Sequence, residues 1–173
     1  MKIVLIGYMG SGKSTIGEKL AEVLRIPFMD LDSEIEKQEK SSISTIFSSK
    51  GEIYFRKVEN RILKEILLKE ERFVLATGGG TPCYGDAMSF LAAQDDVTSI
   101  YLKTPLDVLT MRLFSEKEKR PLLSHLQTEE ELNDFIRKHL FERAYYYNQA
   151  DLLIQNGMED IDIAIETIVS KLF

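Results

Sequence analysis

The chain has 173 residues, 44% hydrophobic and 29% charged, with a net charge of −6. That length suits one domain with an ordinary core, and the composition excludes a disordered or fibrous chain. The acidic balance argues against a general nucleic-acid or membrane-surface binder, so any anionic ligand has to be met by a local cluster of Lys and Arg.

In chain order, residues 2–6 read as a buried strand, with four apolar residues in a row and three of them β-branched. The stretch that follows, Gly7 to Thr15 ("GYMGSGKST"), fits G-x-x-x-x-G-K-[ST], a loop whose backbone N–H groups cradle the phosphates of a nucleoside triphosphate. Glycines at 7, 10 and 12 let the chain approach the phosphates, and the next helix offers its positive end. In this pattern Lys13 bridges the terminal phosphates and the Ser14 hydroxyl ligates Mg²⁺. Ile16, Leu20, Val23 and Leu24 recur at helical spacing up to about Arg25, where Pro27 breaks the helix.

Phe28-Met29 lead into a second strand ending near Asp30. Asp30 and Asp32 are expected to share one face of that extended segment. One could hold Mg²⁺, directly or through water, and the other accept the proton of an attacking hydroxyl. A plainer reading makes Asp32 or Ser33 the cap of a helix starting at Ser33. Residues 33–40 and 43–69 are expected to be helical, with Gly51 interrupting the second stretch. There Arg56 precedes Glu59 by three residues, either a preorganised fork for a substrate carboxylate or an ordinary surface ion pair.

Residues 73–76 form a third predicted strand, ended by Gly78-Gly79-Gly80. Three bare residues exceed what a turn requires and suggest a ligand pressing on the backbone. A helix over 85–94, a strand over 98–102 and a helix opened by Pro105 follow. Residues 115–127, with five charges in a row from Glu116 to Arg120, read as a solvated loop or as a lid that excludes water and delivers Arg120. A helix over about 128–147 carries Arg143, a strand spans 152–154, and a helix covers 159–172. His125, His139 and Cys83 receive no role, and Tyr145, Tyr146 and Tyr147 are read as packing residues.

Alternation of this kind predicts an α/β fold: a five-stranded parallel sheet with helices on both faces, binding ligands beyond the carboxyl ends of the strands. The single cysteine excludes an internal disulfide, the apolar run at residues 3–6 is too short for a signal peptide, and no run of about 18 apolar residues occurs. A cytoplasmic location is expected.

These motifs, in order, resemble shikimate kinase. The resemblance rests on the glycine loop with Lys13-Ser14, the D-x-D at Asp30 and Asp32, and F-x-x-x-G-E-x-x-F-R from Phe47 to Arg56. The triple glycine, "RPLL" at 120–123 and R-x-x-x-Y from Arg143 to Tyr147 complete it. It implies a single P-loop kinase domain over 1–173, with a mobile lid at about 113–127 and an acceptor-binding helical region at about 32–60. It further implies transfer of the ATP γ-phosphate to the 3-hydroxyl of shikimate, in aromatic amino-acid biosynthesis. Lys13, Asp32 and Arg120 would be catalytic; Asp32, Arg56, Gly78, Gly79, Gly80 and Arg143 would bind shikimate. Gly10, Ser11, Gly12, Lys13, Ser14, Thr15, Arg112 and Arg120 would bind ATP, and Ser14 with Asp30 (through water) would hold Mg²⁺. The implied partners are shikimate and ATP only, with no nucleic acid or membrane, and a monomer is expected. The competing readings are another small-metabolite kinase, such as gluconate kinase, and a nucleotide-dependent switch.

Overall fold

The computed structural model describes residues 1–69, 71–117, 122–158 and 160–173. Strands β1 (Lys2–Ile6), β2 (Phe28–Asp30), β3 (Phe73–Ala76), β4 (Val97–Lys103) and β5 (Leu152–Gln155) form one sheet in the order β2-β3-β1-β4-β5. Every neighbouring pair is parallel. Helices α1 (Lys13–Leu24), α2 (Leu31–Glu39), α3 (Ile43–Leu67), α4 (Ala87–Ala92), α5 (Leu106–Glu116) and α6 (Glu129–Tyr147) lie in the crossovers, and α7 (Ile161–Leu172) follows the last strand.

The central strand explains the two-sided core. Along β1, Ile3 and Leu5 face a cluster made with α1 and α7, while Val4 and Ile6 face a larger one made with α2 to α6. All four have no exposed surface. Burying each contributes roughly 1.5–3 kcal/mol, and a strand covered on both faces needs a continuous apolar run rather than alternation. With β1 fixed between β3 and β4, the phosphate-loop sequence leaves the sheet at its centre, where β1 and β4 send their connections to opposite sides.

Several element ends differ from expectation. Helix α2 begins at Leu31 rather than Ser33, because Asp30 caps it: its Oδ1 accepts from the Ser33 amide at 3.2 Å. Asp32 therefore lies in the first helical turn, and the shared strand face for Asp30 and Asp32 is not formed. The stretch over 85–94 contains a shorter helix, preceded by a 3₁₀ turn at Thr81–Cys83 that Pro82 stiffens. Gly51 does interrupt α3, with φ 81° and ψ 171°. Residues 113–116, expected at the start of a lid, belong to α5. Arg120 lies outside the described residues.

Candidate active site

Between β1 and α1 the loop folds around its own lysine. Gly10 and Gly12 take φ of 78° and 85°, which turns the chain tightly enough to bring Lys13 back over the loop. Lys13 Nζ donates to the carbonyls of Gly7 (2.8 Å) and Tyr8 (2.9 Å). Two side chains brace the loop from outside. Arg112 of α5 donates to Gly10 O at 3.1 Å and to Gly157 O at 2.7 Å, and Asn156 Nδ2 donates to Ser11 O.

The end of β2 supplies oxygen. Ser14 Oγ donates to Asp30 Oδ2 at 3.1 Å, which joins the first turn of α1 to the second strand. Asp32, one helical step on, has its pKa pushed up to about 6. Burial is the largest cause, reinforced by the carboxylates of Asp30, Glu59 and Glu36 and opposed by the Lys13 ammonium. Its carboxylate is crowded by protein, yet water reaches it through the cavity it faces.

Beyond β3, the glycines are bare because the protein itself presses on them. A Cβ on Gly79 would meet the Met9 amide nitrogen at 3.1 Å, and one on Gly80 would meet Arg56 Nη2 at 2.7 Å. Arg56 Nη1 donates to Glu59 Oε2 at 2.7 Å, and Glu59 accepts from Thr81 Oγ1, also at 2.7 Å. Glu59 is 2% exposed, so this is no surface ion pair: one buried carboxylate is shared between an arginine and a hydroxyl. The Tyr84 ring lies 4.0 Å from the guanidinium carbon, and Arg56 Nε is buried without a hydrogen bond. On the other side Tyr147 donates to Gly79 O at 2.6 Å, and buried Arg143 stands 5.8 Å from the Tyr8 ring.

The three strand ends enclose a cavity of about 610 Å³. Its walls include Gly10, Gly12, Lys13, Ser14, Thr15, Asp30, Asp32, Gly78, Gly79 and Arg112. A hydroxyl and carboxylates at this wall suit a hard divalent cation that keeps several waters. Among the described residues no three His, Cys, Asp or Glu side chains form a metal cage.

The model of the family described as shikimate kinase matches residues 9–173. Shikimate kinase of Flavobacterium johnsoniae is 46% identical over 171 residues, 99% of this chain and 98% of that protein. The chain belongs to the shikimate kinase family. Among solved structures, the family member from Bacteroides thetaiotaomicron superposes with a TM-score of 0.90 at 36% identity, covering 99% of this chain and 98% of that one. The enzyme from Acinetobacter baumannii in complex with shikimate superposes with a TM-score of 0.85 at 32% identity, covering 99% and 92%.

Against that family background, most predicted site residues meet at one cavity, with four exceptions among the described residues. Arg56, Gly80 and Arg143 are not among the residues that line it, and Arg56 lies against Gly80. Ser11 is fully buried and is held through its carbonyl by Asn156. Sequence reading missed Asn156 and Thr77, both on the cavity wall. Thr77 Oγ1 donates to Leu5 O at 2.9 Å, tying the end of β3 to β1, and a lone Thr or Asn after a strand carries no periodic signal. Tyr147 was read as packing; it is fully buried against Tyr101 and also fixes the Gly79 carbonyl. His139, given no role, accepts from or donates to the Tyr8 hydroxyl through Nδ1 at 2.9 Å.

Proposed function

We propose that the cavity at the ends of β1, β2 and β3 is where this chain, a shikimate kinase by family, transfers the γ-phosphate of ATP to the 3-hydroxyl of shikimate. The observation that carries this reading is the meeting of Lys13 and Asp32 in the lining of one cavity, with Arg56 fixed by Glu59 against Gly80. Phosphoryl transfer needs positioning and charge stabilisation more than covalent chemistry, and these groups supply both.

The roles divide as follows. The amides of Gly10 to Thr15 cradle the ATP phosphates, and Lys13 exchanges its two carbonyl partners for phosphate oxygens. Arg112 and Arg120 complete the nucleotide side. Ser14 and, through water, Asp30 hold Mg²⁺, which neutralises charge on the terminal phosphates. Asp32 holds the attacking hydroxyl and accepts its proton; a carboxyl with a raised pKa is a better base than an ordinary one. Arg56 and Arg143 pair with the shikimate carboxylate, and the Gly78–Gly80 backbone lies against the ring. Arg56 Nε is buried without a hydrogen bond, with Glu52 Oε1 3.6 Å away, and Glu59 holds the guanidinium plane in one orientation.

The Arg56→Ala variant is expected to raise the KM for shikimate by about 10-fold or more, with the KM for ATP nearly unchanged. Equal weakening of both substrates would remove the guanidinium from the carboxylate. We also read the whole chain as one P-loop kinase domain, with residues 32–60 as its acceptor side and, since α5 runs to Glu116, a lid confined to the stretch from 117 to about 127. The segment is tied down where it returns: Leu123 is fully buried, and Lys117 Nζ donates to Leu126 O at 3.0 Å. Limited proteolysis between residues 115 and 125 should therefore slow when shikimate and ATP are both bound.

We read the chain as a cytoplasmic monomer acting on small molecules; among the described residues no helix is long and apolar enough to cross a membrane. Release of ADP with shikimate and with gluconate, each at saturating MgATP, tests the substrate. Turnover of shikimate supports the assignment, whereas turnover of gluconate alone, or hydrolysis indifferent to either, overturns it.

A further inference from the structure

A second cavity, of about 570 Å³, opens on the α6 side of the sheet, away from the phosphate loop. Its walls come from the end of β4 (Tyr101, Lys103, Thr104), the start of α5 (Pro105, Leu106) and one face of α6, including Leu140 and Phe141. Its volume lies within the range common for small-molecule sites, and most of its lining is apolar.

Two features point to a ligand. Tyr101 is 6% exposed, lies in the cavity wall, and its hydroxyl has no hydrogen-bond partner among the described residues. Beside it Thr104 Oγ1 is buried without a partner. Buried polar atoms nearly always find partners, so the Thr104 hydroxyl in this wall is unusual. The charge at the mouth gives the second half of the argument. In a chain of net charge −6, the charged residues in this wall are Lys103 and Arg137. Arg137 pairs with exposed Asp134, while Lys103 is exposed. Phe141, 85% exposed, offers a flat apolar face above them.

From this arrangement we propose that the cavity binds a small aromatic or alicyclic acid, separate from the acceptor of the kinase reaction. The ring lies against Leu140 and Phe141, a hydroxyl or carbonyl on the ring meets Tyr101 and Thr104, and the carboxylate meets Lys103 and Arg137 at the mouth. The site shares no wall residue with the catalytic cavity. It is nonetheless mechanically close to it, because the Tyr101 ring packs 5.1 Å from that of Tyr147, whose hydroxyl holds Gly79 O.

The probe is 4-hydroxyphenylacetate, titrated into the full chain by calorimetry with shikimate already saturating, so that the acceptor site is closed to it. The expected result is saturable binding with Kd of about 1 mM or tighter. Lys103→Ala and Tyr101→Phe should each weaken it by about fivefold or more, and the uncharged 4-hydroxyphenylacetamide should bind about tenfold more weakly. Tyr101→Phe removes one oxygen and keeps the ring stack, so the fold is preserved while the hydroxyl is tested. The proposal is overturned by no saturation up to about 10 mM, by affinity that falls as shikimate is raised, by equal binding of the amide, or by native affinity in both variants.

Discussion

Replacing Asp32 with asparagine is expected to lower kcat by about 10²- to 10⁴-fold, the usual contribution of a positioned general base. The amide keeps the size of the side chain and a hydrogen-bond acceptor, so substrate binding should change far less than turnover. The same variant should be slightly more stable than the native protein at pH 8 when both are free of ligand and metal. Asp32 has a pKa of about 6 in the folded chain, against an ordinary value of 3.8. The folded state therefore holds this proton more tightly than the unfolded one. That contribution is complete below pH 3.8 and is lost as pH rises through about 6, which leaves a crowded carboxylate destabilising at neutral pH. Because water reaches the group through the cavity, the gain in Tm should be small, present at pH 8 and absent near pH 4. Thermal melts of both proteins across that range, with kcat at saturating substrates, check the two halves together. An Asp32→Asn protein that retains kcat within about twofold would end the general-base assignment.

The Lys13→Ala variant should be as severe, with kcat reduced by about 10²-fold or more through loss of charge stabilisation on the transferring phosphate. Its structural effect should also be readable. The ammonium ties the Gly7 and Tyr8 carbonyls together, so its removal frees two acceptors in the turn. Lys13→Arg is the informative companion: it keeps the charge, but a planar fork cannot replace a point donor seated between two carbonyls. Recovery of full kcat by arginine would show that charge alone matters, and the loop geometry described above would then be incidental to turnover.

Much of this was legible in the chain before its structure, for reasons that differ from residue to residue. The run Ile3 to Ile6 announces a strand covered on both sides because such a strand cannot alternate. Lys13 and Ser14 are fixed by a motif whose spacing is itself the geometry of the loop. Asp32 was placed near the site for a reason that proved wrong. It arrives there through the first turn of α2, since Asp30 gives its side chain to the helix cap. Arg56 and Glu59 show the limit of spacing arguments. Three residues apart they are adjacent on any helix, and only the surrounding fold, with Thr81 completing the pair, separates a buried fork from a surface contact. Asn156, Thr77 and the Tyr147 contact to Gly79 depend on long-range approach of separate strands and helices, which no local pattern encodes.

The meeting of Gly79 with Met9 bears on fidelity. A methyl group at position 79 would press on the Met9 amide at 3.1 Å and on Gly7 O at 3.5 Å, both backbone atoms that cannot turn aside. The phosphate loop and the glycine turn after β3 thus meet backbone to backbone at Gly79. A kinase that transfers to an alcohol in water must keep solvent from taking the alcohol's place, and the first barrier here is the direct contact of these two loops. Gly79→Ala, which would force that seam apart, is therefore expected to raise the ratio of ATP consumed to product formed, read by measuring ADP and phosphorylated acceptor in one assay.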